Sequence, residues 1–169
     1  MDEHAFWQLI DDVDSRSGGK MPRKRDLLRE RLAEISVEDV LAFVNCFDDR
    51  MDEAYSWDLW GAAYLIGGGC GDDEFMDFRS TLISCGRELF ESSLRDPDSL
   101  ADSPLNWDVF FEGFEYVGLQ VYEARAGRIP VRTGAHPQEP SGQNWDDVDL
   151  PKRFPRLFAR FEWQGIDRR

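Results

Sequence analysis

"WDLWGAAYLIGGGCGDDEFMDFRSTLISCG", residues 57–86, joins two apolar runs through an acidic, glycine-rich loop. Wound at 100° per residue, residues 57–66 place apolar side chains all round a helix with Asp58 as the lone charge, a pattern that belongs at the centre of a fold. Ser56 can cap its start, and Gly67-Gly68-Gly69 can supply the left-handed backbone that ends it. Beyond the loop, Asp72 or Asp73 caps a second helix. Its stripe is Phe75, Phe78, Leu82, Gly86 and Leu89, and its wet side carries Glu74, Asp77, Ser80, Ser84 and Glu88. The stretch reads as a helical hairpin.

Arg79 breaks that pattern. With Phe75 at zero, the apolar arc runs from Phe78 at about −60° to Phe90 at about +60°, and Arg79 falls inside it at about +40°. A guanidinium cannot shed its proton, so burying it is costly unless acceptors take its donors. Asp58 is the expected partner, since it lies at a similar height on the other arm of an antiparallel hairpin. Asp48 is the second candidate, because it falls inside the apolar arc of its own helix. A buried pair or triad would fix helix register. Its functional counterpart is an anion-binding arginine at the base of a pocket.

Working outward, Phe6, Leu9, Ile10 and Val13 form a first helical stripe that ends before Ser17-Gly18-Gly19. Pro22 suits the first turn of a second helix marked by Leu27, Leu28 and Leu32. Ser36-Val-Glu-Asp39 resembles a capping box, followed by the stripe Val37, Val40, Leu41, Val44, Phe47 and Met51. Asp96-Pro97-Asp98-Ser99 marks a turn, and Trp107, Phe110, Phe111, Phe114, Val117 and Val121 a further helical face. From Gly127 the periodicity lapses into "RIPVRTGAHPQEPSGQNWDD", a length unusual in a compact domain unless functional, mobile or laid across the surface. "LPKRFPRLFARF" then reads as a short basic amphipathic helix interrupted by Pro155, expected to dock on the acidic body. Gly61, Gly86 and Gly118 fall on apolar helical faces, where close helix approach compensates the loss of helix propensity.

The 169 residues fit one domain, and 12 Phe and 6 Trp can fill its core. No strand alternation of convincing length and no helical repeat occurs. The expected fold is all-α: a single-domain bundle of about six helices, with a helical domain over 1–125 and, over 126–169, an irregular extension whose short C-terminal helix packs on it. A formal charge of −14 opposes nucleic acid and anionic membrane as partners and favours a basic protein or a small-molecule ligand. An acidic N-terminus, no span-length apolar run and three cysteines without C-x-x-C spacing point to the cytoplasm.

Chemical motifs are sparse. The glycine loop matches neither nucleotide-binding glycine pattern and follows a helix instead of a strand. No cofactor is implied. Asp48, Asp72 and Asp73 could offer hard oxygen ligands to a divalent cation, with Asp49 or Asp52, although helix capping accounts for Asp72 and Asp73 as well. His4 and His136 are the only histidines, too few for a zinc cluster, and His136 beside Pro137 reads as solvent-exposed. Cys70 at a helix start invites a thiolate reading, which the neighbouring aspartates oppose; Cys46 and Cys85 read as packing residues. Trp60 and Tyr64, with Trp57, could line a ligand pocket or simply be core.

"FWQLI", "AYSWDLWGAAYLIGGGCGDDEFMDFRSTLISCG" and "LRDPDSLAD" resemble the bacterial family known as domain of unknown function 4240 over residues 1–125. That resemblance implies a helical domain and transfers no catalytic residue; similar proteins in some cases carry nucleic-acid-associated modules. The functional expectation is a binding or regulatory module for a basic protein or a small ligand near the glycine loop, with candidate residues Arg79, Asp58, Asp48, Trp60, Tyr64, Cys70, Asp72 and Asp73. The alternative is a Mg-dependent hydrolase of a phosphate-containing small molecule, with Asp48, Asp72 and Asp73 on the metal and Arg79 on the anion.

Overall fold

The computed structural model describes residues 1–104, 107–132 and 134–161, and for Trp107 the backbone alone. Among the described residues the fold is all-α, with nine α-helices and no strand. The helices are α1 (Glu3–Ser17), α2 (Met21–Glu34), α3 (Val37–Glu53), α4 (Trp57–Gly67), α5 (Asp72–Ser84), α6 (Arg87–Arg95), α7 (Val117–Ala126), α8 (Leu150–Arg153) and α9 (Pro155–Phe161). Short 3₁₀ turns occupy Pro97–Asp102, Trp107–Phe110 and Asp147–Asp149.

Local chemistry sets the boundaries. Asp2 caps α1 by accepting from the Ala5 amide at 2.8 Å, and Gly18 ends it in the left-handed region. Ser36 and Ser56 accept from the third amides of α3 and α4, and Gly68 ends α4 at φ 68°. As expected, α4 is central: Leu59, Ala62, Ala63, Leu65 and Ile66 are all buried.

Several expectations need correction. The N-cap of α5 is Gly71, whose amide donates to the Glu74 carboxylate at 2.8 Å; Asp72 and Asp73 stand in the first turn. The helix does not run on through Gly86. It stops at Ser84, Gly86 takes φ 93°, and the Arg87 amide turns to Asp11 Oδ1 at 3.1 Å. Likewise the apolar run from 107 to 121 divides into a 3₁₀ turn and α7, with Gly113 at φ 103° between them; the Trp107 side chain of that expected face lies outside the described residues.

The wet side assigned to α5 is also partly covered. Ser80 and Ser84 are fully buried, because α5 packs chiefly on α3, α1 and the Trp107–Phe110 turn. Their hydroxyls find partners there, Ser80 donating to Glu115 at 3.0 Å and Ser84 to the Thr81 carbonyl at 2.6 Å, so burial leaves neither unsatisfied. α4 and α5 still meet at their facing rings: Trp60 and Phe75 stack with centroids 4.8 Å apart.

The tract after α7 lies across the body. Ser141 forms a parallel bridge with Ser56, accepting from the Trp57 amide and donating to the Tyr55 carbonyl, each at 2.9 Å. Leu150, Phe154 and Leu157 are buried against α4 and the 3₁₀ turn Pro97–Asp102. Gly61 makes room for them: a Cβ there would stand 2.8 Å from the Phe154 ring and 3.1 Å from Leu150. Pro155 begins α9 instead of interrupting a longer helix. Asp98 caps that start from across the fold, accepting from the Arg156 amide at 3.1 Å and the Leu157 amide at 2.9 Å. Arg153, Arg156 and Arg160 settle on acids and carbonyls of the body, Arg153 on Asp58 at 2.7 Å, Arg156 on Asp102 and Arg160 on the Ala101 carbonyl at 2.7 Å.

Candidate functional site

The second half of α3, the first half of α5, the chain entering α7 and four residues of the irregular tract, Pro130, Arg132, His136 and Pro137, line an open-sided cavity of about 580 Å3. Its floor is apolar because the α3 stripe runs from Phe43 in mid-helix through Phe47 to Met51 near the C-terminal end, and these side chains line the cavity together with Phe114 and Leu119. Close approach makes this possible. Gly118 of α7 leaves space that a Cβ would fill at 3.1 Å from Val44 and 3.2 Å from Phe43.

Charge collects around the wall. α3 contributes Asp48 and Asp52, one turn apart, α5 contributes Asp72, Asp73 and Arg79, and Glu115 enters from the turn before α7. Glu115 is held by Ser80 and by the Gly113 amide at 3.2 Å. From the irregular tract, Arg132 reaches Asp52 in a close ion pair and Asp48 at 3.8 Å. His136 Nδ1 lies 2.8 Å from Asp52 Oδ1; in the tautomer that donates there, Nε2 accepts from the Arg132 guanidinium at 2.7 Å. Burial raises the Asp48 carboxyl above its ordinary range, and Arg132 and His136 work against that rise.

Arg79 corrects the ion-pair expectation. Its guanidinium meets neither Asp58 nor Asp48. Nη1 donates to the Met51 carbonyl at 2.7 Å and Nε to the Phe75 carbonyl at 3.3 Å, and the charge rests over the Tyr55 and Phe75 rings with centroids 4.8 and 4.9 Å away. The Met51 carbonyl is in the last turn of α3, where intrahelical donors run out, so Arg79 caps that helix in trans at its negative dipole end. Carbonyls and ring faces thus replace the expected carboxylate. Burial lowers the Arg79 pKa, with Tyr55 and then Asp52 opposing the shift.

Of the residues singled out in the sequence, Arg79, Asp48, Asp72 and Asp73 line this cavity. The others lie elsewhere. Asp58 turns to Arg153, and Tyr64 donates to Asp147 at 3.1 Å and packs on Trp145. Trp60 stacks between Trp57 and Phe75 while its indole donates to the Cys70 carbonyl at 2.9 Å. Cys70 is pushed up to about 12, by burial first and then by Glu74, the reverse of an activated thiolate. Among the described residues no three His, Cys, Asp or Glu side chains come together as a group that could hold a metal ion; the Asp48, Asp72 and Asp73 ligand set is not assembled.

Sequence reading missed Asp52, Arg132 and His136 as a cluster. The signal available was the irregular tract itself, too long for a plain connection and carrying a cation and an imidazole four residues apart. A second hollow of about 690 Å3 lies between the α1–α2 turn and α5–α6. Its buried Lys24 is already held by Asp14 at 2.6 Å and the Ser84 carbonyl at 3.0 Å.

A helical body with an apolar cavity walled by acids defines this class of fold in structural terms only. The chain belongs to the family described as a protein of unknown function, DUF4240, whose pattern matches residues 1–124. No curated protein and no solved structure matches it. Among the described residues no helix is long and apolar enough to cross a membrane.

Proposed function

We propose that this protein is a binding module whose cavity takes a ligand with an apolar body and a basic group, whether a small molecule or the side chain of a basic partner protein. One observation carries the reading: an apolar, aromatic floor is rimmed by five carboxylates, Asp48, Asp52, Asp72, Asp73 and Glu115, against the two guanidiniums of Arg79 and Arg132. A volume of about 580 Å3 lies in the range of small-ligand sites. The carboxylate surplus focuses a negative potential there, to which the net charge of −14 adds, so a cation is drawn in and an anion turned away. The same charge argues against nucleic acid as partner. The reading places the protein in the cytoplasm, where its three unpaired thiols stay reduced.

Thermal denaturation with hexylamine and, separately, hexanoate tests the proposal. Hexylammonium is expected to raise the melting temperature in a dose-dependent way, and the double variant Asp72→Asn/Asp73→Asn to respond less. Equal stabilisation by hexanoate would remove the electrostatic basis of the reading, and no response to either probe would remove the binding module.

A further inference from the structure

We infer that Asp48 and Asp52 form a guanidinium subsite, that the ligand of the cavity carries a guanidinium, and that Arg132 of the chain's own 128–140 strap fills this subsite until the ligand arrives. The inference rests on the binding reading above and sharpens it to one cation class.

Three observations converge. Arg132 already shows what the carboxylates accept, lying against Asp52 and within 3.8 Å of Asp48, with the imidazole of His136 bracing Asp52 from its other oxygen. Two acids one helical turn apart suit a planar fork better than a compact ammonium, which presents its donors from a single atom.

The strap is also lightly held. The Gly127 amide closes α7 on Glu123, and backbone pairing to the body resumes at Ser141; among the described residues no backbone hydrogen bond ties 128–140 to the rest of the fold. Nor does apolar burial hold it, since Ile129 is 66% and Val131 82% exposed on either side of the point where the strap touches down. Its anchor is therefore Arg132, helped by His136 and the cavity-lining rings of Pro130 and Pro137.

Third, the seat is worth competing for. A tether fixed at both ends gives Arg132 an effective concentration on the order of millimolar, enough to occupy a weak subsite and low enough for a better ligand to displace it. A free ligand that joins a guanidinium to an apolar body gains the floor of Phe47, Met51 and Phe114 as well as the two acids. Asp72 and Asp73 remain on the rim to draw it in.

The test is calorimetric titration of the full chain and of Arg132→Gln with hexylguanidine, with hexylamine as the ammonium control and acetyl-Pro-Val-Arg-Thr-amide as the peptide-borne guanidinium. If the strap is docked about nine-tenths of the time, its removal tightens hexylguanidine binding about tenfold. Arg132→Gln should prefer hexylguanidine to hexylamine, and adding Asp52→Asn should cancel that preference. In the unaltered chain, saturating hexylguanidine should speed thermolysin cleavage within 128–132, a readout that needs no variant to fold. Binding of the peptide with the same dependence on Asp52 assigns the ligand to a partner protein, and binding of hexylguanidine alone assigns it to a small molecule; both support the subsite. Equal affinity in the two chains overturns the competing strap. Hexylamine binding Arg132→Gln as well as hexylguanidine does overturns the guanidinium subsite and leaves the binding module standing, whereas silence from every probe removes both.

Discussion

Replacing Gly61 with alanine tests how firmly the chain beyond residue 140 belongs to the folded body. In an isolated helix the change stabilises by about 1 kcal/mol, because alanine loses less backbone entropy. Here the new methyl would meet the Phe154 ring at 2.8 Å, the Trp145 indole nitrogen at 3.0 Å and Leu150 at 3.1 Å. Phe154 and Leu150 are buried, and Trp145 is held by its indole bond to the Trp57 carbonyl at 2.7 Å, so none of the three can swing aside cheaply. Overpacking of this kind costs about 1–3 kcal/mol. The net expectation for Gly61→Ala is a loss of about 1 kcal/mol, or a melting temperature lower by about 3 °C for a chain of this size. Urea denaturation followed by far-ultraviolet circular dichroism and by tryptophan fluorescence measures it. A double-mutant cycle with Phe154→Leu, which shortens the nearest side chain, should reduce the penalty. If Gly61→Ala instead stabilises by the full helix-propensity amount, α8 and α9 do not sit where the structure places them, and the argument fails.

Arg79→Met should destabilise by about 1–2 kcal/mol, since the Met51 carbonyl loses its charged donor and two rings lose their cation, and Arg79→Lys should not restore it because one ammonium cannot serve both carbonyls and the rings; chemical denaturation decides. Asp77 is pushed up to about 6, by burial first and then by Glu115, Glu112 and Asp73. The native state therefore holds that proton more tightly than the unfolded chain, so stability falls as pH rises from the ordinary carboxylate range through about 6, and Asp77→Asn should be more stable by about 1 kcal/mol at neutral pH, after screening, and level with the parent near pH 4. Asp98→Ala removes the cap on α9 and should cost about 1 kcal/mol, seen as faster thermolysin cleavage near Leu157. Cys70, raised to about 12, should react with iodoacetamide far more slowly than a free thiol at neutral pH; rapid labelling would contradict its burial.

The central helix and the helical stripes were legible because an α-helix repeats every 3.6 residues and writes its buried face into the sequence. Periodicity also exposed Arg79 as a misplaced charge. It could not name the acceptors, because a carbonyl in the last turn of α3 and the face of Tyr55 leave no mark of their own among the charged residues. The same blindness hid the breaks at Gly86 and Gly113. A glycine on an apolar face looks alike whether it lets helices touch, as Gly61 and Gly118 do, or carries a positive φ that ends one helix before the next begins. Half of the candidate site was visible as Asp48, Asp72, Asp73 and Arg79 on periodic elements. Arg132 and His136 come from chain without a period, and their meeting with Asp52 depends on where the Ser56–Ser141 bridge lands that chain.

The seat around Gly61 also has a consequence for synthesis. Its occupants are translated long after α4 itself, so on the ribosome the groove of the central helix faces water until Leu150, Phe154 and Leu157 emerge. During that interval the nascent chain displays an unfilled oily slot, and whatever guards it then, a chaperone or a transient collapse, must give way to the chain's own late-arriving plug.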